Sequence, residues 1–138
     1  MTKYWILVAA KNHVLQGVAG NFAQTCHGKA HPLRRMQVGD GLIYYSPKTA
    51  YGETTPFQRF MAIGHVVGEN VIQFDLGNNL KPHRREVNYL SCRDVPVAPL
   101  IERLSFIKDK ARWGTVFRYD ILHVPVEDFK IIATLMLK

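Results

Sequence analysis

Between Phe22 and Lys48 the chain sets cations, aromatic rings and turn residues side by side with little filler. His27-Gly28-Lys29, Pro32-Leu33-Arg34-Arg35-Met36, Gly39-Asp40-Gly41 and Tyr44-Tyr45-Ser46-Pro47-Lys48 follow one another. Such side chains support a definite chemistry. Lysine and arginine pair with phosphate oxygens in contacts that weaken with salt. Flat rings hold a planar ligand by stacking. Amides, imidazoles and hydroxyls read its edge. The phosphate candidates are Lys29, Arg34, Arg35 and Lys48, joined further on by Arg84 and Arg85. Trp113, between Arg112 and Gly114 in a polar stretch, is the best placed ring, because glycine beside it lets a ligand approach. Phe57, between Pro56 and Gln58, is a second loop candidate, whereas Trp5 lies in an apolar run and reads as core. Asn12, His27 and Ser46, with Pro47 beside the last, are the groups expected at the mouth of a pocket.

Each of these residues also has a plainer reading. Asn12 sits where a helix cap would, Ser46 before Pro47 serves a turn, His27 serves a local turn, and Trp113 closes one end of a core. Any one of the cations is equally a solvated surface charge.

Enzyme chemistry finds less support. Cys26, His27 and His31 match no standard zinc spacing. Cys26 and His27 are adjacent, so their side chains point apart, a poor geometry for proton transfer. No phosphate loop or dinucleotide fingerprint is present. Two other readings stay open: an adaptor protein, and acid–base hydrolysis of nucleic acid, for which Lys29, Tyr45 and Arg35 are the residues available. No catalytic residue, metal or cofactor is assigned.

With 138 residues, 47% of them hydrophobic, the chain fits one domain spanning 1–138 with a real core. Its 18 Lys and Arg outweigh 11 Asp and Glu for a net charge of +7. Residues 1–50 hold six of the cations and one carboxylate, Asp40. That clustering favours a polyanionic partner such as DNA or RNA. No run approaches the roughly 20 apolar residues of a membrane span, and two isolated cysteines fit a reducing compartment, so the expectation is a cytoplasmic protein; its oligomeric state is left open, with a monomer favoured.

The elements that must position these groups follow from periodicity. Tyr4 to Ala10 reads as a strand buried on both faces. A short helix follows from Asn12, with Val14, Leu15 and Val18 on one face and Gly20 ending it. Gly39-Asp40-Gly41 turns into a strand from Leu42 to Ser46, which Pro47 stops. Gln58 to Val67 and Val71 to Leu76 read as a hairpin joined at Gly68-Glu69-Asn70. Arg84 to Leu90 and Phe117 to Val124 are strand-like, Pro99 opens a helix through Leu100, Leu104 and Ile107, and a last helix after Pro125 buries Phe129, Ile132, Ala133 and Met136. Five or six strands among three short helices predict an α+β fold, a small barrel with helices around it.

The order of these pieces resembles a known family. Tyr4-Trp5-Ile6, His13-Val14 with Gly17, Phe22 and Gln24 before His27-Gly28-Lys29, Pro32-Leu33 with Met36, Gly39-Asp40, Tyr44-Tyr45-Ser46-Pro47, Gln58 and Phe60 before Ala62-Ile63-Gly64, Arg84-Arg85, Phe106-Ile107 with Lys110, Trp113-Gly114, Phe117-Arg118 and Asp128-Phe129 are similar to the standalone bacterial branch of the EVE domain family. Two positions depart from it: Asn21 replaces an expected glycine, and Tyr119 follows Phe117-Arg118 where a looser turn is usual. The resemblance implies a PUA-like fold, a strongly curved mixed sheet or small barrel shared with YTH and ASCH domains. It also implies a reader of modified bases, methylated cytosine or adenine, in DNA or RNA. A ribonuclease of ASCH type is the alternative it carries.

Overall fold

The computed structural model describes residues 1–25 and 27–138, so the Cys26 half of the thiol–imidazole pair weighed above lies outside the described residues. The chain runs β1 (Tyr4–Val8), α1 (Lys11–Gly20), β2 (Phe22–Ala23), α2 (Ala30–Arg34), β3 (Gly41–Lys48), β4 (Pro56–Val66), β5 (Ile72–Gln73), β6 (His83–Tyr89), β7 (Val95–Pro96), β8 (Ile121–Val124) and α3 (Val126–Met136). Two 3₁₀ segments, Ala98–Leu100 and Lys110–Arg118, lie between β7 and β8.

Alternation along β1 divides its side chains between two layers: Trp5 and Leu7 face one, Ile6 and Val8 the other, and all four are buried. The same parity governs β3, where Leu42 and Tyr44 join the first layer and Ile43 and Tyr45 the second. The first layer is closed by Val14 of α1 and by Leu33 and Met36 at α2; the second is closed by Leu100, Leu104, Ile107 and Phe117 and by Phe129, Ile132 and Met136 of α3. The central strands are therefore sandwiched.

The sheet runs β2-β6-β4-β3-β1-β8, with β5 added to β6 and β7 to β4. β1 and β3 are parallel, Tyr4 opposite Gly41 and Val8 opposite Tyr45, and the remaining pairs are antiparallel. The result is a mixed, strongly curved half-barrel with short helices, as the sequence implied. Glycine is required at Gly41, where a Cβ would come within 2.9 Å of the Tyr4 ring and 3.0 Å of Phe129.

Several elements differ from expectation. Pro47 does not end β3. It sits in the bulge between Ser46, opposite Arg59, and Lys48, opposite Pro56, where a missing N–H breaks no ladder bond. The hairpin expected from Gln58 to Leu76 is absent: β5 has two residues and pairs with β6, Ile72 opposite Arg84. Asn12 is not the cap of α1. Ala10 holds that position, and Asn12 lies inside the first turn, its N–H donating to the Thr49 carbonyl at 3.1 Å. Phe117 belongs to the second 3₁₀ segment, and the strand begins only at Ile121. Asn21, the expected glycine, ends α1 at φ 59°, a left-handed conformation that asparagine tolerates.

Candidate functional site

Because β1 and β3 are parallel, their C-terminal ends lie on the same side of the sheet. The backbone holds them together there: the Ala9 N–H donates to the Tyr45 carbonyl at 3.2 Å, and the Val8 N–H to the Asp120 carbonyl at 3.0 Å. Beyond these bonds opens a cleft of about 460 Å³. Its walls are residues 8–10, Pro47-Lys48, residues 50–52, residues 118–120 and His27. Alanine and glycine at Ala9, Ala10, Ala50 and Gly52 leave it wide.

The β3–β4 turn that supplies one wall is held by Thr49 N–H to Thr55 O at 3.3 Å, Glu53 N–H to Ala50 O at 3.2 Å, and the Thr49 hydroxyl to Glu53 Oε2 at 3.1 Å. On this closed turn Tyr51 is 77% exposed, and across the chain from it Tyr119 is 65% exposed. Two rings without core partners border one cleft.

His27 is placed by its neighbours. The buried Thr25 accepts the Lys29 N–H at 3.0 Å through Oγ1, and its carbonyl accepts the Gly28 N–H at 3.0 Å. Gly28, at φ 68°, offers its carbonyl to the His83 N–H at 2.9 Å, and a Cβ there would press on Pro82 at 3.1 Å. The segment is pinned to the start of β6, leaving the His27 side chain exposed.

Of the twelve residues singled out in the sequence, His27, Pro47 and Lys48 line this cleft. The others go elsewhere. Ser46 is fully buried and donates to Met61 Sδ at 3.1 Å, so its hydroxyl faces the first core layer. Asn12 is exposed on α1, its Oδ1 accepting the His13 N–H at 2.8 Å. Trp113 is half-buried against the second layer, edge-on to Phe117 with ring centroids 6.2 Å apart. Phe57 packs against the first layer beneath Lys11 Nζ, 4.8 Å from its ring centre.

The cations also separate. Arg85 is buried, giving Nε to the Gly68 carbonyl at 3.0 Å and Nη1 to the Leu33 carbonyl at 2.8 Å and to the Met36 carbonyl. It ties α2 to β6, and burial pulls its pKa down. Its assignment to phosphate is corrected accordingly. Arg84 lies 4.0 Å from the Phe22 ring centre and 4.9 Å from that of Phe74, with Nε donating to Gln24 Oε1 at 2.8 Å. Arg35 lies 5.1 Å over the Trp5 ring, while Lys29 and Arg34 are exposed along α2.

The hydrolytic trio is not assembled. Tyr45 is buried in the second layer, stacked on Phe117 with centroids 3.9 Å apart, whereas Arg35 covers Trp5 of the first. Burial raises the Tyr45 phenol, and likewise those of Tyr44 and Tyr89, far above the ordinary range. Among the described residues no three His, Cys, Asp or Glu side chains lie together as a metal site, and no helix is long and apolar enough to cross a membrane.

Among the cleft residues that went unassigned in the sequence, four carry rings or charges: Tyr51, Arg118, Tyr119 and Asp120. One signal was available. Tyr119 departed from the looser turn expected after Phe117-Arg118, and that departure puts a large ring at the cleft.

The comparisons with known proteins agree with this architecture. The EVE domain family model matches residues 3–135. The UPF0310 protein in the gntR 5' region of Bacillus licheniformis is 45% identical over 129 residues, covering 94% of this chain and 88% of that one. A UPF0310 protein of Mycolicibacterium vanbaalenii is 42% identical over 132 residues, covering 96% of this chain and 91% of the relative. Among solved structures, the YTH domain of the Zygosaccharomyces rouxii MRB1 protein, in complex with N6-methyladenosine RNA, shares the fold. Its TM-score is 0.65 at 16% identity, covering 99% of this chain and 88% of that one. The fold is thus of the PUA-like kind, and the chain belongs to the EVE domain family.

Proposed function

We propose that the chain is a nucleic-acid-binding module that takes one modified base, of the methylated cytosine or adenine type, into the cleft where β1 and β3 end. The observation that carries this reading is the pair of exposed tyrosines, Tyr51 and Tyr119, bordering the same cleft beside Lys48 and Arg118. Rings left uncovered lose the gain of burial, and a flat base stacked on them recovers it, at about 1–3 kcal/mol per base. Asp120 is the one carboxylate in the lining, and a carboxylate accepts from the exocyclic amine of cytosine or adenine. Lys48 and Arg118 pair with the flanking phosphates. The YTH neighbour, solved with N6-methyladenosine RNA, supports the ligand class by analogy of fold.

In this reading the chain binds and does not catalyse. What supports it over hydrolysis is the burial of Tyr45 in the second layer, while Arg35 covers Trp5 of the first. The test is substitution at the rings. Tyr119→Ala and Tyr51→Ala are expected to reduce the preference for a modified over a plain strand by about tenfold each. Intact discrimination in both variants would remove the cleft assignment.

A further inference from the structure

The cleft does not stand alone. It shares Arg118 with a hollow of about 630 Å³ that Arg112, Gly114 and Thr115 also border. It also shares His27 with a groove of about 450 Å³ that Gln24 and Gly28 line together with the 76–82 loop. Three hollows therefore adjoin through single shared residues, Arg118 and His27.

The two flanks differ in chemistry. The Arg112 and Arg118 side is cationic and has no carboxylate in its lining. The far side is walled by Leu76, Leu80 and Pro82, with Lys81 as its cation and Asn79 as an amide. Leu76 and Leu80 are 51% and 59% exposed, too open for core residues. Their loop is shaped by consecutive left-handed residues, Gly77, Asn78 and Asn79, and closed by the Leu76 N–H on the Leu80 carbonyl at 2.8 Å. Across the three hollows the lining holds Lys48, Lys81, Arg112 and Arg118 against Asp120.

We propose that the ligand is a single strand spanning all three hollows, with a backbone phosphate held at Arg112 and Arg118 and the base next to the captured one laid against Leu76, Leu80 and Pro82. This rests on the base-reading function and narrows its ligand from nucleic acid in general to an unpaired strand. A neighbouring base reaches an apolar wall only when it is unstacked and unpaired, so duplex flanks are disfavoured. Phosphate contacts at the far cation add salt-dependent affinity that a free nucleoside lacks.

The test is a length series of one modified base: free nucleoside, then single strands of about one, two, three and six nucleotides, and a matched duplex, against the wild-type chain and the Arg112→Glu and Lys81→Glu variants. Both substituted side chains are exposed and lie outside the central cleft. Affinity is expected to climb to about the trinucleotide, to be weaker for the duplex, and to fall about tenfold for strands in each variant while nucleoside binding holds. Nucleoside binding as tight as the trinucleotide, a tighter duplex, or charge-reversed variants that bind strands normally would overturn the spanning strand and leave base capture standing. The same length dependence without any preference for the modified base would support the spanning strand and overturn base capture.

Discussion

Asp40 accepts the indole N–H of Trp5 at 2.9 Å through Oδ2, and the same carboxylate takes the Gln37 N–H at 2.9 Å and the Lys3 N–H at 3.0 Å. The lone carboxylate of the basic N-terminal third is thus a buried knot that fixes β1 against the turn entering β3. Asp40→Ala leaves these donors without a partner, at a cost of about 3 kcal/mol. Urea unfolding followed by tryptophan fluorescence is expected to show that loss in midpoint, with little change in slope.

Arg85 and Lys48 should separate structural from ligand charge. Arg85→Ala strips three carbonyls of a donor between α2 and β6 and is expected to destabilise by about 2–4 kcal/mol, with Arg85→Lys recovering little because an ammonium lacks the fork. Lys48→Ala should leave the melting temperature unchanged and lower the salt slope of oligonucleotide binding by about one.

Trp113→Ala is expected to lower stability by about 1–3 kcal/mol through lost packing on Phe117 and the second layer. Its ratio of modified to plain strand binding should match the wild type. A selective loss of that ratio, at unchanged stability, would return Trp113 to the pocket.

Alkaline titration probes the core. Burial raises the phenols of Tyr44, Tyr45 and Tyr89 above their ordinary value near 10, so between that value and the folded pKa the native state holds protons that the unfolded chain has released. Stability from these groups is therefore complete below about pH 10 and declines as pH rises above it. Denaturant midpoints between pH 7 and 11 are expected to stay level and then fall, with a smaller fall in Tyr45→Phe.

Much of the fold was legible because its strands obey parity. β1 read correctly since both faces are apolar, and α3 since Phe129, Ile132 and Met136 repeat at helical spacing. β2 and β7 were not legible, since two residues carry no period, and β5 was read too long and against the wrong partner. The site was harder. Parity on β3 puts Ser46 on the inward face of Leu42 and Tyr44, and on β6 puts Arg85 on the inward face of Val87, so both misplacements had a signal. Tyr51 and Tyr119 had none of that kind, because they come to one cleft only through the β3–β4 turn and the approach to β8.

The central claim is capture of a modified base, and fluorescence anisotropy tests it most directly. Matched short DNA and RNA strands, plain or carrying methylated cytosine or adenine, would be titrated with the wild-type chain and Tyr119→Ala at two salt concentrations. The expected result is tighter binding to one modified strand, persisting at the higher salt and lost in the variant; equal, salt-sensitive binding to every strand by both proteins would contradict it.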